Sequence, residues 1–216
     1  MTLVFFYLVV VVLGILSMGF QLLASRLLSP HFGTDLIVWA WLISTFLAAF
    51  STGSMLGGWI SRFASRARLR AQLTTAAIGV IAFAWTAAEG QPHGLMGSGT
   101  PHPFLSWLET TTIGHNFQLF AACVSLFFFP VTALSSFTPQ CVQFLATRGT
   151  SPGAASGTVY AVSTIGNIAG VMLTALALIP NFPVSQLLTG WLVVALFGLG
   201  FLILIMRPPS ISFPAP

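Results

Sequence analysis

Apolar residues in this chain come in long unbroken runs, not in the alternating or one-sided patterns of soluble strands and helices. Six runs are long enough to cross a bilayer, which takes about 20 mostly apolar residues: 3–27, 36–61, 71–89, 116–147, 154–179 and 184–206. Polar positions gather in the short breaks "SPHFGTD", "SRFASRARLR", "RGTSPG" and "PNFP", and in one longer stretch, 90–115. The pattern predicts an all-α integral membrane protein, a six-helix transmembrane bundle over 1–207 with a short cytoplasmic tail over 208–216. The fourth run would be about 48 Å long as one straight helix, against a hydrocarbon core of about 30 Å. Pro130 and Pro139 lie within it, and each removes a backbone donor, so this helix is predicted to be kinked. The first run has no basic leader and outruns the roughly 7–15 apolar residues of a secretory signal. It is read as a retained helix.

Charge decides direction. Only 5% of the 216 residues are charged and 56% are hydrophobic, where a soluble domain carries roughly 25% charged residues. There is no lysine; the bases are Arg26, Arg62, Arg66, Arg68, Arg70, Arg148 and Arg207, and the acids are Asp35, Glu89 and Glu109. These arginines form no phosphate-neutralising stripe, so nucleic acid is not an expected partner. With six spans both termini share a side. Placing them inside puts every arginine but Arg26 in the cytoplasm, as the positive-inside rule requires. Trp39 and Trp41 then mark the outer interface of the second helix and Trp59 its inner one. The expected location is a cell membrane of the bacterial inner-membrane type, with the 90–115 loop outside. Within that loop "PFLSWLETTTIG" suits a short interfacial helix that turns Phe104, Leu105, Trp107 and Leu108 to lipid or protein.

Two blocks carry a family resemblance. The first is "SRLLSPHFGTDLIVW" followed by "FLAAFSTGSMLGGWISR"; the second is "FPVTALSSFTPQCVQFL" followed by "GTVYAVSTIGNIAGVMLTALALIP". In this order they resemble the membrane part of the fused major-facilitator/spermidine-synthase-like proteins, over most of the chain. That resemblance implies a soluble aminopropyltransferase-like domain with an S-adenosyl nucleotide site. No strand–GxGxG–helix unit and no acidic cluster for a polyamine occur in the sequence. Gln21 stands where the family pattern has an acidic residue ahead of the arginine, which puts a proton-linked role at that position in doubt.

The candidate polar sites are few: Gln21, Arg26, Asp35 and Asn167. Arg26 reads either as an arginine whose head reaches the interface or as an inward group that pairs with a carboxylate or binds an anion. Thr34 or Asp35 is placed to cap the second helix. His31, His93, His102 and His115, with Glu89 and Glu109, all fall on the outer side, but no pair has HxxxH spacing, so no metal is expected. Cys123 and Cys141 lack CxxC spacing and read as buried thiols. Gly53/Gly57, Gly153/Gly157 and Gly166/Gly170 each form GxxxG, a spacing that lets helix backbones approach closely in lipid. Ser163, Thr164 and Asn167 add hydrogen-bonding groups to the fifth helix. Broken helices at Pro130 and Pro139 are also what lines many transporter sites.

No nucleophile–base pair, paired carboxylates or cofactor loop is present, so neither an enzyme nor a cofactor is expected. The sequence favours a non-catalytic module in the lipid bilayer, an accessory or scaffolding subunit that packs against other membrane proteins in a hetero-complex. The alternative is a six-helix, major-facilitator-like half-transporter for a small solute, working as a homodimer.

Overall fold

The computed structural model describes residues 2–87 and 103–206, and every regular element among them is helical. The elements are α1 (Thr2–Phe32), α2 (Leu36–Ile60), α3 (Ser65–Ala87), α4 (Pro103–Glu109), α5 (His115–Cys123), α6 (Phe129–Ser135), α7 (Phe137–Ala146), α8 (Pro152–Leu173), α9 (Ile179–Asn181) and α10 (Val184–Ile205). A π-helical turn, Val124–Phe128, joins α5 to α6, and another, Thr174–Leu178, joins α8 to α9. Among the described residues five stretches are long and apolar enough to cross a membrane: Leu3–Phe32, Leu36–Ile60, His115–Ala146, Pro152–Asn181 and Val184–Ile205. The third helix is not among them. It opens on Arg66, Arg68 and Arg70 and buries Gln72, Thr75 and Thr86.

Two breaks differ from those the polar pattern predicts. The first helix does not stop before "SPHFGTD"; α1 runs through Pro30 to Phe32 and ends at Gly33, whose φ of 79° suits glycine. Pro30 has no N–H for the carbonyl of Arg26, and the Ser29 hydroxyl donates to that carbonyl instead, at 3.1 Å. The second difference is "SRARLR", which lies inside α3. Arginine is a good helix former, and the Arg68 guanidinium donates back to the carbonyl of Phe63, at 3.1 Å from Nη2.

The fourth run is divided: α5, a π-helical turn, α6, a break at Ser136, then α7. Pro130 frees the carbonyl of Leu126, four residues earlier, and the Thr86 hydroxyl of α3 donates to it at 2.7 Å. Pro139 sits in the first turn of α7, where its missing N–H has no intrahelical partner to lose. A buried pair links α3 to this region: Gln72 Nε2 donates to Gln140 Oε1 at 2.7 Å, and Gln140 Nε2 to the Ser136 carbonyl at 2.9 Å.

The six long segments are α1, α2, α3, α5–α7, α8–α9 and α10, and their neighbours repeat. α1 packs along α8, and α2 along the α5–α7 segment; α1 meets α10, and α3 meets α6; α3 and α10 meet each other. Exchanging the first three segments for the last three carries the first two pairs onto each other, the next two onto each other, and the α3–α10 pair onto itself. Two apolar clusters fill the two ends. One contains Phe20, Leu28, Phe32, Val38, Phe46, Leu105, Leu119, Phe127 and Leu188, and so includes the end that carries α4. The other holds Phe6, Phe137, Leu145, Val159 and Leu202, with Leu69 against it, at the end of the arginine-bearing turns.

Candidate functional site

Where α1, α2, the α6–α7 break and α8 converge, they leave a cavity of about 220 Å³. Its apolar wall includes Leu13, Phe50, Leu134 and Val159, and its polar groups are Ser17, Ser54, Ser135, Thr138, Tyr160, Ser163, Thr164 and Asn167. Among the described residues no charged side chain lines it. Several hydroxyls are already used by backbone: Ser135 Oγ donates to the carbonyls of Ala49 and Thr132, both at 3.2 Å, and Thr164 Oγ1 to that of Tyr160 at 2.7 Å. Asn167 differs from them. Its Oδ1 is buried and has no hydrogen-bond partner among the described residues. A buried carbonyl left so costs roughly 1–3 kcal/mol in proteins and more in hydrocarbon.

Glycines set the depth of this cavity. A Cβ on Gly14 would stand 2.5 Å from the Ser163 carbonyl and 3.1 Å from the Asn167 amide nitrogen. Gly166 and Gly170 meet the Val11 and Ile15 carbonyls of α1 in the same way. On the other side, Gly53 lies against Ser135 and Thr132, and Gly57 against the Ser136 carbonyl at the break between α6 and α7. Two of the three GxxxG pairs therefore hold the chain to itself. Gly153 and Gly157 meet nothing within 4 Å.

The remaining sequence candidates are dispersed. Asp35 caps α2, accepting from the Val38 N–H at 3.3 Å. Arg26 is exposed and forms no ion pair with it. Gln21 is half-buried and away from the cavity lining. His31 pairs with Glu109 at 2.7 Å, tying α1 to α4, and the His115 ring packs against Phe32 with centroids 5.6 Å apart. Among the described residues no three His, Cys, Asp or Glu side chains gather to hold a metal. His93, His102, Glu89, Arg207 and the tail lie outside the described residues, as does most of the 90–115 loop. Cys123 and Cys141 are free and buried, and Cys141 borders the cavity. Pro130 and Pro139 flank the divided stretch without entering the cavity wall.

Sequence reasoning found Asn167, Ser163 and Thr164 but missed Ser17, Ser54, Thr138, Tyr160 and Gly14. The available signal was a hydroxyl or glycine alone in a long apolar run, too common in membrane helices to single out. Compared with known proteins, the chain matches no family model, no curated protein and no solved structure.

Proposed function

We propose that the protein is a six-helix membrane module that binds and passes a small, uncharged polar solute, working as a homodimer. The observation that carries this reading is the cavity with the unpartnered Asn167 Oδ1. A buried acceptor among hydroxyls that can donate or accept suits a solute bearing hydroxyl or amide groups. Charged cargo would need charged partners in low dielectric, and the lining offers none. Support also comes from the exchange relation between the first and last three segments, since internal inverted repeats with the site at their interface are how many transporters are built. The resemblance to the membrane part of the fused major-facilitator/spermidine-synthase-like proteins implies the same architecture. In this proposal α3 is the sixth span, the fourth span is bent, and the ends carrying Arg62 to Arg70 and Arg148 face the cytoplasm of a bacterial cell.

A second reading, an accessory subunit packed against other membrane proteins without catalysis of its own, draws on a different observation. The stretch Pro152–Asn181 is the least covered of the five, with 17% of its most apolar window buried, and it carries the open Gly153/Gly157 pair. One experiment separates the two. Purified protein reconstituted in proteoliposomes is challenged with gradients of small polyols and amides, and flux is followed by light scattering. The transporter reading expects a dimer and solute-selective flux that drops at least tenfold in Asn167→Leu. A monomer without flux, recovered from native membranes only within a larger assembly of fixed stoichiometry, would replace it with the accessory reading.

A further inference from the structure

A second cavity, of about 280 Å³, lies at the end of the bundle that carries α4. It is walled by the last turns of α1, the Gly33–Thr34 turn, the first turn of α2 and the π-helical turn before α9. One wall is polar: Ser25, Arg26, Ser29 and Thr34. The other is apolar and includes Trp39 and Ile179.

The polar wall is electrically unbalanced. Arg26 has no acidic partner among the described residues. Asp35 is next in sequence to this wall but is not part of it, and its carboxylate is held at the α2 N-terminus by the Val38 N–H. Glu109, the other described acid, is taken by His31. Ser25 and Ser29 spend their hydroxyl protons on the carbonyls of Leu22 and Arg26, which leaves the guanidinium and the Thr34 hydroxyl as donors towards the cavity. The first turn of α2 closes the crevice, but its positive end is already met by the Asp35 carboxylate, so the attraction for an anion comes from Arg26. An arginine that merely reached the interface would need no concave wall around it. Here the guanidinium, the Thr34 hydroxyl and an apolar floor meet in one space large enough for a headgroup.

We propose that this crevice binds a phosphate-type oxyanion, held by Arg26 and Thr34, with the apolar wall beneath it for the glycerol and upper acyl carbons of an anionic phospholipid. Guanidinium matches phosphate with two parallel N–H···O bonds, a geometry that an ammonium lacks. The site is independent of the central cavity and of any solute passing there.

The test uses the full chain in mild detergent with bulk phosphatidylcholine. Native mass spectrometry follows titration with phosphatidylglycerol or with extra phosphatidylcholine, and thermal unfolding follows titration with inorganic phosphate. Wild type should retain one phosphatidylglycerol at a concentration about tenfold below that for phosphatidylcholine. Arg26→Gln should abolish this preference, Arg26→Lys should keep only part of it, and Arg62→Gln, at the opposite end, should leave it intact. Stabilisation by inorganic phosphate that also depends on Arg26 would identify a free anion as a source; lipid retention alone would identify the headgroup. If Arg26→Gln fails to fold, Arg26→Lys and Thr34→Ala decide, each expected to lower the preference several-fold. A wild type with neither lipid preference nor phosphate response overturns the proposal. So does a preference that Arg26 and Thr34 substitutions leave unchanged.

Discussion

Two stretches of α8 carry the same four-residue glycine spacing and live in opposite surroundings. Gly166 and Gly170 lie against the backbone of α1, where an added Cβ would strike the Val11 and Ile15 carbonyls. Gly153 and Gly157, about three and a half turns earlier, face open space. The motif states only that a close approach is permitted. Whether a partner takes it up depends on where the other helices run: α1 covers the Gly166/Gly170 face of α8, while in the first half Ala155 and Val159 are buried and the Gly153/Gly157 face stays open. The covered face is what keeps Asn167 beside α1 at the central cavity.

The contrast is broken or sharpened by substitution. The largest effect is expected for Gly166→Leu, with Gly57→Leu close behind, because each forces a side chain into backbone that cannot move aside. Overpacking of this kind costs typically 1–3 kcal/mol, more against main chain. Folded yield, read as the monodisperse fraction on size exclusion, should fall several-fold or more. Normal yield for Gly166→Leu would remove the α1–α8 crossing from the fold.

Thr86→Val comes next. It leaves the Leu126 carbonyl, freed by Pro130, without its donor, at a cost of about 1–2 kcal/mol. Restoring a backbone N–H with Pro130→Ala should recover most of that loss, so a double-mutant cycle in thermal unfolding should show strong coupling. Additive losses would mean that the hydroxyl does not serve that carbonyl.

Gln72→Leu should cost somewhat less, about 1 kcal/mol: it takes the donor from Gln140 Oε1, but the Gln140 side chain can turn and keeps its Nε2 bond to the Ser136 carbonyl. Chemical denaturation of Gln72→Leu and Gln140→Leu should rank the second as worse. The smallest effect on the isolated chain is expected for Gly157→Leu, which meets no neighbour. Its yield should match wild type, while any assembly that uses the Gly153/Gly157 face of α8 should weaken. A collapse in yield would make that face an internal surface after all.

Much of this architecture was legible from the runs of apolar residues, since no soluble fold can hide so many. The positions of five long apolar helices agree with the runs to within a few residues at most ends. One of those ends and the start of α3 did not, for local reasons: a proline is tolerated in α1 because Ser29 serves the carbonyl it frees, and arginines extend α3 because they favour helix, with Arg68 bonded back to the Phe63 carbonyl. The candidate site was legible in part. Asn167 stands out as an amide in an apolar run. Ser17, Ser54 and Thr138 do not, because a hydroxyl can satisfy itself on its own helix and gives no sign of which face it occupies.

The sequence by itself determined that the chain is helical, that its helices are apolar enough for a membrane, and that its arginines concentrate towards one end. These properties depend on composition and on order along one dimension. Only the tertiary structure decided which glycines are in contact, that Asp35 is a cap while Arg26 has no carboxylate partner among the described residues, and that hydroxyls from four segments face one cavity. Those facts depend on how helices far apart in sequence cross, and in lipid, where apolar surface alone sets no preference between neighbours, the crossing is chosen by close packing and a few buried hydrogen bonds.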